Sequence, residues 1–250
     1  MKRVLAKASP FVLLVVLLLL WQFVCDAGIV AAYILPSPSQ IAAKTVERAD
    51  SLFPACGLTL LESEIGLAIG VCSGFLMAAL IDRFFFVRRA LLPLLIVSQT
   101  IPVIAIAPLI VLTLGFGILP KVVLVALMTF FPVSVACAGG FASAPTETLE
   151  MAASCGASQM KTFLCVKVPW CAKTFFDACK ISVTYAFSGA VIAEWLGGDV
   201  GLGVLMTRAR KSFDMTTLFS CVVIVVVVTI ICVEVVKLIE RCVIRWRKYE

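Results

Sequence analysis

Residues 145–170 read PTETLEMAASCGASQMKTFLCVKVPW, and they form the one long polar insert between segments apolar enough to lie in a membrane. The stretch reads as two short helices joined at a glycine. Thr146 or Thr148 can accept from the orphan N–H groups of a helix start, and Glu150 follows in the first turn, where the helix dipole favours an anion. Gly156 suits a helix end that needs a left-handed residue. Ser158 can cap a second short helix over 159–166, and Val168-Pro169 then stops it. Helices this short are not stable alone in water, so the stretch needs a partner surface. Lipid headgroups, on which an amphipathic helix can lie, are one such surface, and another protein is the other.

Composition sets the class. The chain has 250 residues, 62% of them hydrophobic and 14% charged, with no histidine; soluble domains are roughly half apolar and about a quarter charged. This is the balance of an integral membrane protein in contact with a lipid bilayer, and its helix-length apolar runs make it all-α. The net charge of +6 sits beside hydrophobic ends, with no basic, aromatic-interleaved patch, so no nucleic-acid partner is expected. Eleven cysteines, an odd number mostly inside apolar runs, read as small buried hydrophobes and not as a disulfide framework. Cys25 and Cys56 are the one pair that could face outward together. Cys165, Cys171 and Cys179 lack close-pair spacing, so neither a metal site nor a cofactor is expected.

Six membrane helices are expected, each near the roughly 20 residues that cross the hydrocarbon. The first, 10–25, follows Lys2, Arg3 and Lys7; no small-x-small site succeeds it, so it is read as a retained helix and not a removed signal. Residues 33–50 make a Pro-Ser-rich turn and a short amphipathic helix capped by Ser37 or Ser39. The second membrane helix, 58–81, repeats Gly66, Gly70, Gly74 and Ala78 every four residues, a smooth stripe for close helix packing. Its Glu62 and Glu64 read as a solvated boundary, with a transport role as the alternative. After a short basic loop, 82–89, the third helix spans 91–114. It is interrupted by Pro102 and Pro108, and proline-freed carbonyls belong to cavity-lining helices.

The fourth helix, 121–141, carries Thr129. The fifth, 174–195, sets Asp177 and Lys180 three apart for pairing and Thr184, Tyr185 and Ser188 at helical spacing, with Glu194 and Trp195 at its outer boundary. Gln99, Thr100, Thr129, Tyr185 and Ser188 are the candidates for a translocation path. An outer loop, 197–214, precedes the Val- and Ile-rich sixth helix, 215–238; its GGDVGLG is no nucleotide fingerprint, since no strand precedes it.

Glu150, Ala152, Gly156 and Pro169 resemble the EAA loop of bacterial ABC importer permeases: Glu-Ala-Ala, a Gly four residues later, and Leu-Pro about a dozen beyond. Met151 and Val168 depart from that pattern's Ala and Leu. Leu-Pro-Ser-Pro at 35–38 resembles the subgroup that handles sulfonates, taurine, nitrate and thiamine-precursor pyrimidines, and SQTIPVIAIAPL with GFGILPK at 98–109 and 115–121 resembles the pyrimidine and riboflavin-type members of that subgroup. The resemblance implies a type I importer permease fold in the bacterial cytoplasmic membrane. Residues 1–57 would be the first helix and outer amphipathic segment, 58–240 a five-helix core with coupling loop 142–173, and 241–250 a basic cytoplasmic tail. It implies that Glu150, Ala152, Gly156, Ala157, Ser158, Phe163 and Pro169 serve coupling to ATP-binding cassette ATPase subunits. A second permease copy would complete a homodimer, and an external solute-binding protein would deliver the solute. A thiamine-precursor pyrimidine or similar heteroaromatic is the expected solute, and sulfonate, taurine or nitrate are the rivals.

The chain is not expected to be an enzyme, because it has no histidine base and no GxxxxGK[ST] phosphate loop. An ion-coupled secondary transporter, the alternative of another class, would bury ionisable groups near the midplane at about 2.5–3.5 kcal/mol per charge. Here the acids fall at helix ends.

Thirteen Lys and Arg fall on the inner segments of this layout and five on the outer, namely Lys44, Arg48, Arg208, Arg210 and Lys211, which puts both termini inside. The outer trio Arg208, Arg210 and Lys211 runs against the rule; docking of an acidic external protein and a merely solvated loop both account for it. Single cysteines at Ser158 and Ser212 in a cysteine-free version should label from opposite sides with an impermeant thiol reagent. Labelling at position 158 from outside intact cells would reverse the layout.

Overall fold

In lipid every backbone N–H must find a partner within the protein, and an apolar run of roughly 20 residues supplies its own by folding as a helix. The computed structural model describes residues 2–31 and 33–244, with side chains from residue 12 onward, and every regular element among them is helical. In order these are α1 (Lys2–Asp26), α2 (Pro38–Glu47), α3 (Ala49–Arg83), α4 (Phe85–Ser98), α5 (Val103–Leu114) and α6 (Ile118–Ala142). Then come α7 (Thr146–Ser154), α8 (Gln159–Thr162), a π-helical turn (Phe163–Lys167), α9 (Val168–Gly197), α10 (Leu202–Lys211) and α11 (Met215–Val243).

Of the six membrane helices expected, four are continuous and long enough to cross: Ala49–Arg83, Ile118–Ala142, Gln159–Gly197 and Met215–Val243. The expected third is two helices, α4 and α5, bent by 100°. The break falls at Gln99 to Pro102, with Pro102 leading into α5, whereas Pro108 lies within α5. The described apolar part of α1, Val12–Asp26, is shorter than the roughly 20 residues of a full crossing.

Several boundaries shift. Ser37 caps α2 in a reciprocal box with Gln40, and only Arg48 separates α2 from α3, so the expected line between 57 and 58 falls inside a helix. The expected basic loop 82–89 shrinks to Phe84, because α4 begins at Phe85. The expected outer loop 197–214 contains the helix α10. Arg245, Arg247 and Lys248 of the basic tail lie outside the described residues.

The glycine stripe of α3 lies on α6. A Cβ on Gly70 would collide with Thr129 Oγ1 and stand 2.6 Å from the Ala126 carbonyl; one on Gly74 would stand 2.9 Å from the Phe130 carbonyl. Against this seam α9 packs, and at one end the rings of Phe75, Phe141, Phe175 and Phe163 meet at 5.0–5.7 Å. At the other end Lys121 Nζ donates to Glu62 Oε1 at 2.7 Å, both side chains buried. Glu62 is therefore no solvated boundary, while Glu64 is exposed. All eleven thiols are free, and Cys25 Sγ lies 3.5 Å from the Leu35 carbonyl, so Cys25 and Cys56 are not bonded.

Two measurements follow from this packing. Gly70→Leu should destabilise the protein by about 1–3 kcal/mol or more, because what it meets is partly unyielding backbone; an unaltered melting temperature in detergent would contradict the seam. Lys121→Met strands a buried carboxylate and should cost about 3–5 kcal/mol. Adding Glu62→Met should recover most of that loss, and a double variant no better than the single would show that the pair is not what stabilises this end.

Candidate functional site

The polar insert is built from local rules. α7 starts at Thr146 behind Pro145, with no side-chain cap, so neither Thr146 nor Thr148 plays the capping role expected of it. Glu147 is the acid of the first turn, and Glu150 stands one turn on, exposed. The helix ends as the sequence requires. Gly156 adopts φ +75°, its N–H donates to the Ala153 carbonyl at 2.9 Å, and the Ala157 N–H reaches the Ala152 carbonyl at 3.0 Å, the paired bonds of a Schellman end. Ser158 then caps α8, accepting from the Lys161 N–H.

The second half of the insert departs from expectation. Pro169 does not stop a helix over 159–166; α8, the π turn and α9 run on as one 39-residue helix. In the π turn the Val168 N–H bonds to the Phe163 carbonyl, five residues back, and this wider turn accommodates a proline, which has no N–H of its own to bond.

The segment is tied to the bundle at three points. Phe163 lies on Phe141 with ring centroids 5.0 Å apart. Lys167 Nζ donates to both oxygens of Asp82 at 2.7 and 2.8 Å, and Trp170 Nε1 donates to Ser143 Oγ at 3.2 Å. Held in this way, it presents Met151, Met160 and Leu164 outward, 64%, 68% and 56% exposed. In the sequence Met151 stands out only as a departure from the loop pattern, and Met160 and Leu164 not at all, because residue type alone does not say which aliphatic side chains of the insert face outward. Chemically the segment offers an apolar, shape-defined knob with no array of nucleophile and base.

The five path candidates do not converge in one chain. Gln99 and Thr100 are exposed at the α4–α5 break, where Gln99 Nε2 and Thr100 Oγ1 donate to the carbonyls of Leu95 and Val97. Thr129 lies fully buried inside the α3–α6 seam, bonded to the Val125 carbonyl at 2.9 Å, so it faces a packed interface and no open path. Tyr185 and Ser188 share the exposed face of α9 with Thr184 and Trp195. A cleft of about 420 Å³ between α9 and α11 is lined by Thr184, Ser188 and Thr229, with Glu234 and Lys237 also among its lining residues.

Over residues 70–248 the chain matches the family of binding-protein-dependent transport system inner membrane components. It is 35% identical to the formylaminopyrimidine transport permease protein of Halalkalibacterium halodurans, over 99% of each chain. It is 35% identical to a probable ABC transporter permease protein of Haemophilus influenzae, over 89% of this chain and 91% of that one. With the riboflavin transport system permease protein of Chloroflexus aurantiacus it shares 32% identity, over 94% of this chain and 88% of that one. Among solved structures, one chain of an amino acid ABC transporter superposes with a TM-score of 0.62 at 15% identity, covering 81% of this chain and 97% of that one.

Proposed function

This chain belongs to the family of binding-protein-dependent transport system inner membrane components, and from that premise we propose that two copies of it enclose an alternating-access pathway for a small solute. It is a multi-pass ABC importer permease of the bacterial cytoplasmic membrane, with the type I permease fold, and ATP hydrolysis belongs to a partner subunit. In the proposed cycle each copy seats the α7–α8 segment in an ATP-binding cassette subunit. Closure of the two ATPases on ATP rocks the permease halves, and the path opens outward to an external solute-binding protein.

The observation that carries this reading is the continuity of the segment with the core. Glu150, Ala152, Gly156, Ala157 and Ser158 shape a rigid two-helix knob, Phe163 and the Lys167–Asp82 pair root it, and Pro169 lies where it passes into α9. A load on the knob is thereby a load on a transmembrane helix.

For the path we favour Tyr185 and Ser188 on α9 and Gln99 and Thr100 at the α4–α5 break, brought together by the second copy. These groups are neutral, and neither the break nor α5 carries a charged residue. A fixed anion such as a sulfonate, taurine or nitrate would be better served by Lys or Arg. A thiamine-precursor pyrimidine or a similar heteroaromatic suits hydroxyls, an amide and aromatic faces. The relative that carries formylaminopyrimidine in its name supports the same solute class.

Gly156→Asp tests the coupling segment. Nothing lies within 4 Å of a Cβ there, so the cost is mainly backbone strain, roughly 1 kcal/mol. The helices should insert normally while the new charge on the knob abolishes ATP-driven uptake. Co-purification of the ATPase and solute-stimulated hydrolysis in proteoliposomes are the readouts. Normal values for both would remove the coupling assignment.

A further inference from the structure

The end of the bundle opposite the coupling segment carries cations that the positive-inside rule disfavours. Arg208, Arg210 and Lys211 stand in the last turn of α10, where the helix dipole favours positive charge. That helix is held firmly. The Leu202 N–H donates to Thr59 Oγ1 at 3.0 Å, the Thr59 hydroxyl donates to Glu194 at 2.7 Å, and the Gly203 N–H donates to the second Glu194 oxygen. Gly201, at φ +138°, leaves room for that carboxylate, which a Cβ would strike. Glu194 is thus a buried cap and not the boundary residue its position suggested.

Beneath α10, Leu202 and Met206 pack on Leu52 and Ala55 of α3, Val191 of α9 and Cys221 of α11. The helix that carries the cations is thus seated on the junction of three helices, and Arg208, Arg210 and Lys211 themselves are exposed. Two of the acids at this end are already engaged. Glu47 pairs with Lys44 at 2.9 Å, and Asp214 caps α11 through Thr217 and lies 3.5 Å from Arg48. Partial burial pushes the Asp214 carboxyl up, but the Thr217 bonds and the Arg48 and Lys44 charges outweigh it and hold the group below its ordinary value. Arg208 reaches only the Asp199 backbone carbonyl, and among the described residues no carboxylate pairs with Arg208, Arg210 or Lys211. Beside them Phe213 is 76% exposed and held at φ +57°, a costly conformation for a bulky residue.

We infer that Arg208, Arg210, Lys211 and Phe213 form a docking surface for an acidic lip of the external solute-binding protein. The inference rests on the importer reading. Three cations without a carboxylate partner among the described residues, beside one exposed aromatic, match a partner that brings carboxylates and an apolar contact, and such charges govern encounter rate and register. Anionic lipid is the competing occupant.

The test uses the permease–ATPase complex in phosphatidylcholine nanodiscs, titrated with the solute-binding protein of the same transporter. The triple variant Arg208→Glu, Arg210→Glu, Lys211→Glu should weaken binding more than tenfold and remove the stimulation of ATP hydrolysis, with basal hydrolysis unchanged. Wild-type affinity should fall as salt rises. If the reversal misfolds, the milder pair Arg210→Ala and Lys211→Ala should still weaken binding severalfold. Unchanged affinity in a folded variant, with normal wild-type stimulation, overturns the surface alone. An effect seen only when phosphatidylglycerol is added identifies lipid as the occupant and also overturns it. A wild-type complex that neither retains its ATPase nor responds to the binding protein takes the importer reading down with the surface.

Discussion

The close approach of α3 to α6 is the contact around which the other helices are arranged. Between helices in lipid there is no hydrophobic driving force, because the tails are as apolar as the side chains, so association rests on van der Waals contact and on small residues that permit it. Gly66, Gly70 and Gly74 bring α3 so near that side chains and carbonyls of α6 occupy the space where their Cβ atoms would be. Within this seam Thr129 satisfies its hydroxyl locally, on the Val125 carbonyl. The buried charges of Glu62 and Lys121 neutralise one another across it.

On that seam rests α9, and its length gives the molecule its mechanical character. With α8 and the π turn it forms one helix of 39 residues, roughly 58 Å at 1.5 Å per residue. Near one end Lys167 ties it to α3 through Asp82; further along, Lys180 bridges Asp177 and Glu240 of α11, both at 2.7 Å. At the other end Glu194 grips the start of α10. Packed helices move between discrete arrangements and do not deform continuously. In the importer reading, one rod therefore connects the surface facing the ATPase to the surface facing the solute-binding protein.

The polar insert was legible in part. Gly156 announced its left-handed turn and Ser158 its cap because both signals depend on neighbours within a few residues. The fate of Pro169 was not legible. A proline after an apolar residue normally marks a helix end, and a π turn that lets the helix run on depends on the whole segment being held by Phe141 and Asp82. The outward facing of Met151, Met160 and Leu164 was passed over for a related reason: exposure is a property of the packed bundle, and the sequence supplies only residue type.

By itself the sequence determined the class of the protein, the helical character of each apolar run, the glycine stripe, the cap at Ser158 and the pairing of Asp177 with Lys180, and it narrowed the cap of α2 to Ser37 or Ser39. Each of these follows from composition or from contacts within about four residues along the chain, where helix geometry alone decides who meets whom. Only the tertiary structure decided that Glu62 is buried against Lys121, 59 residues away, that Lys167 finds Asp82 across 85, and that Thr59 meets Glu194 across 135. It alone bent the third span by 100° and turned Thr129 into the seam. Those outcomes depend on the rotation and depth at which each helix settles against its neighbours, and that is set by the summed packing of several helices and not by any local stretch of sequence.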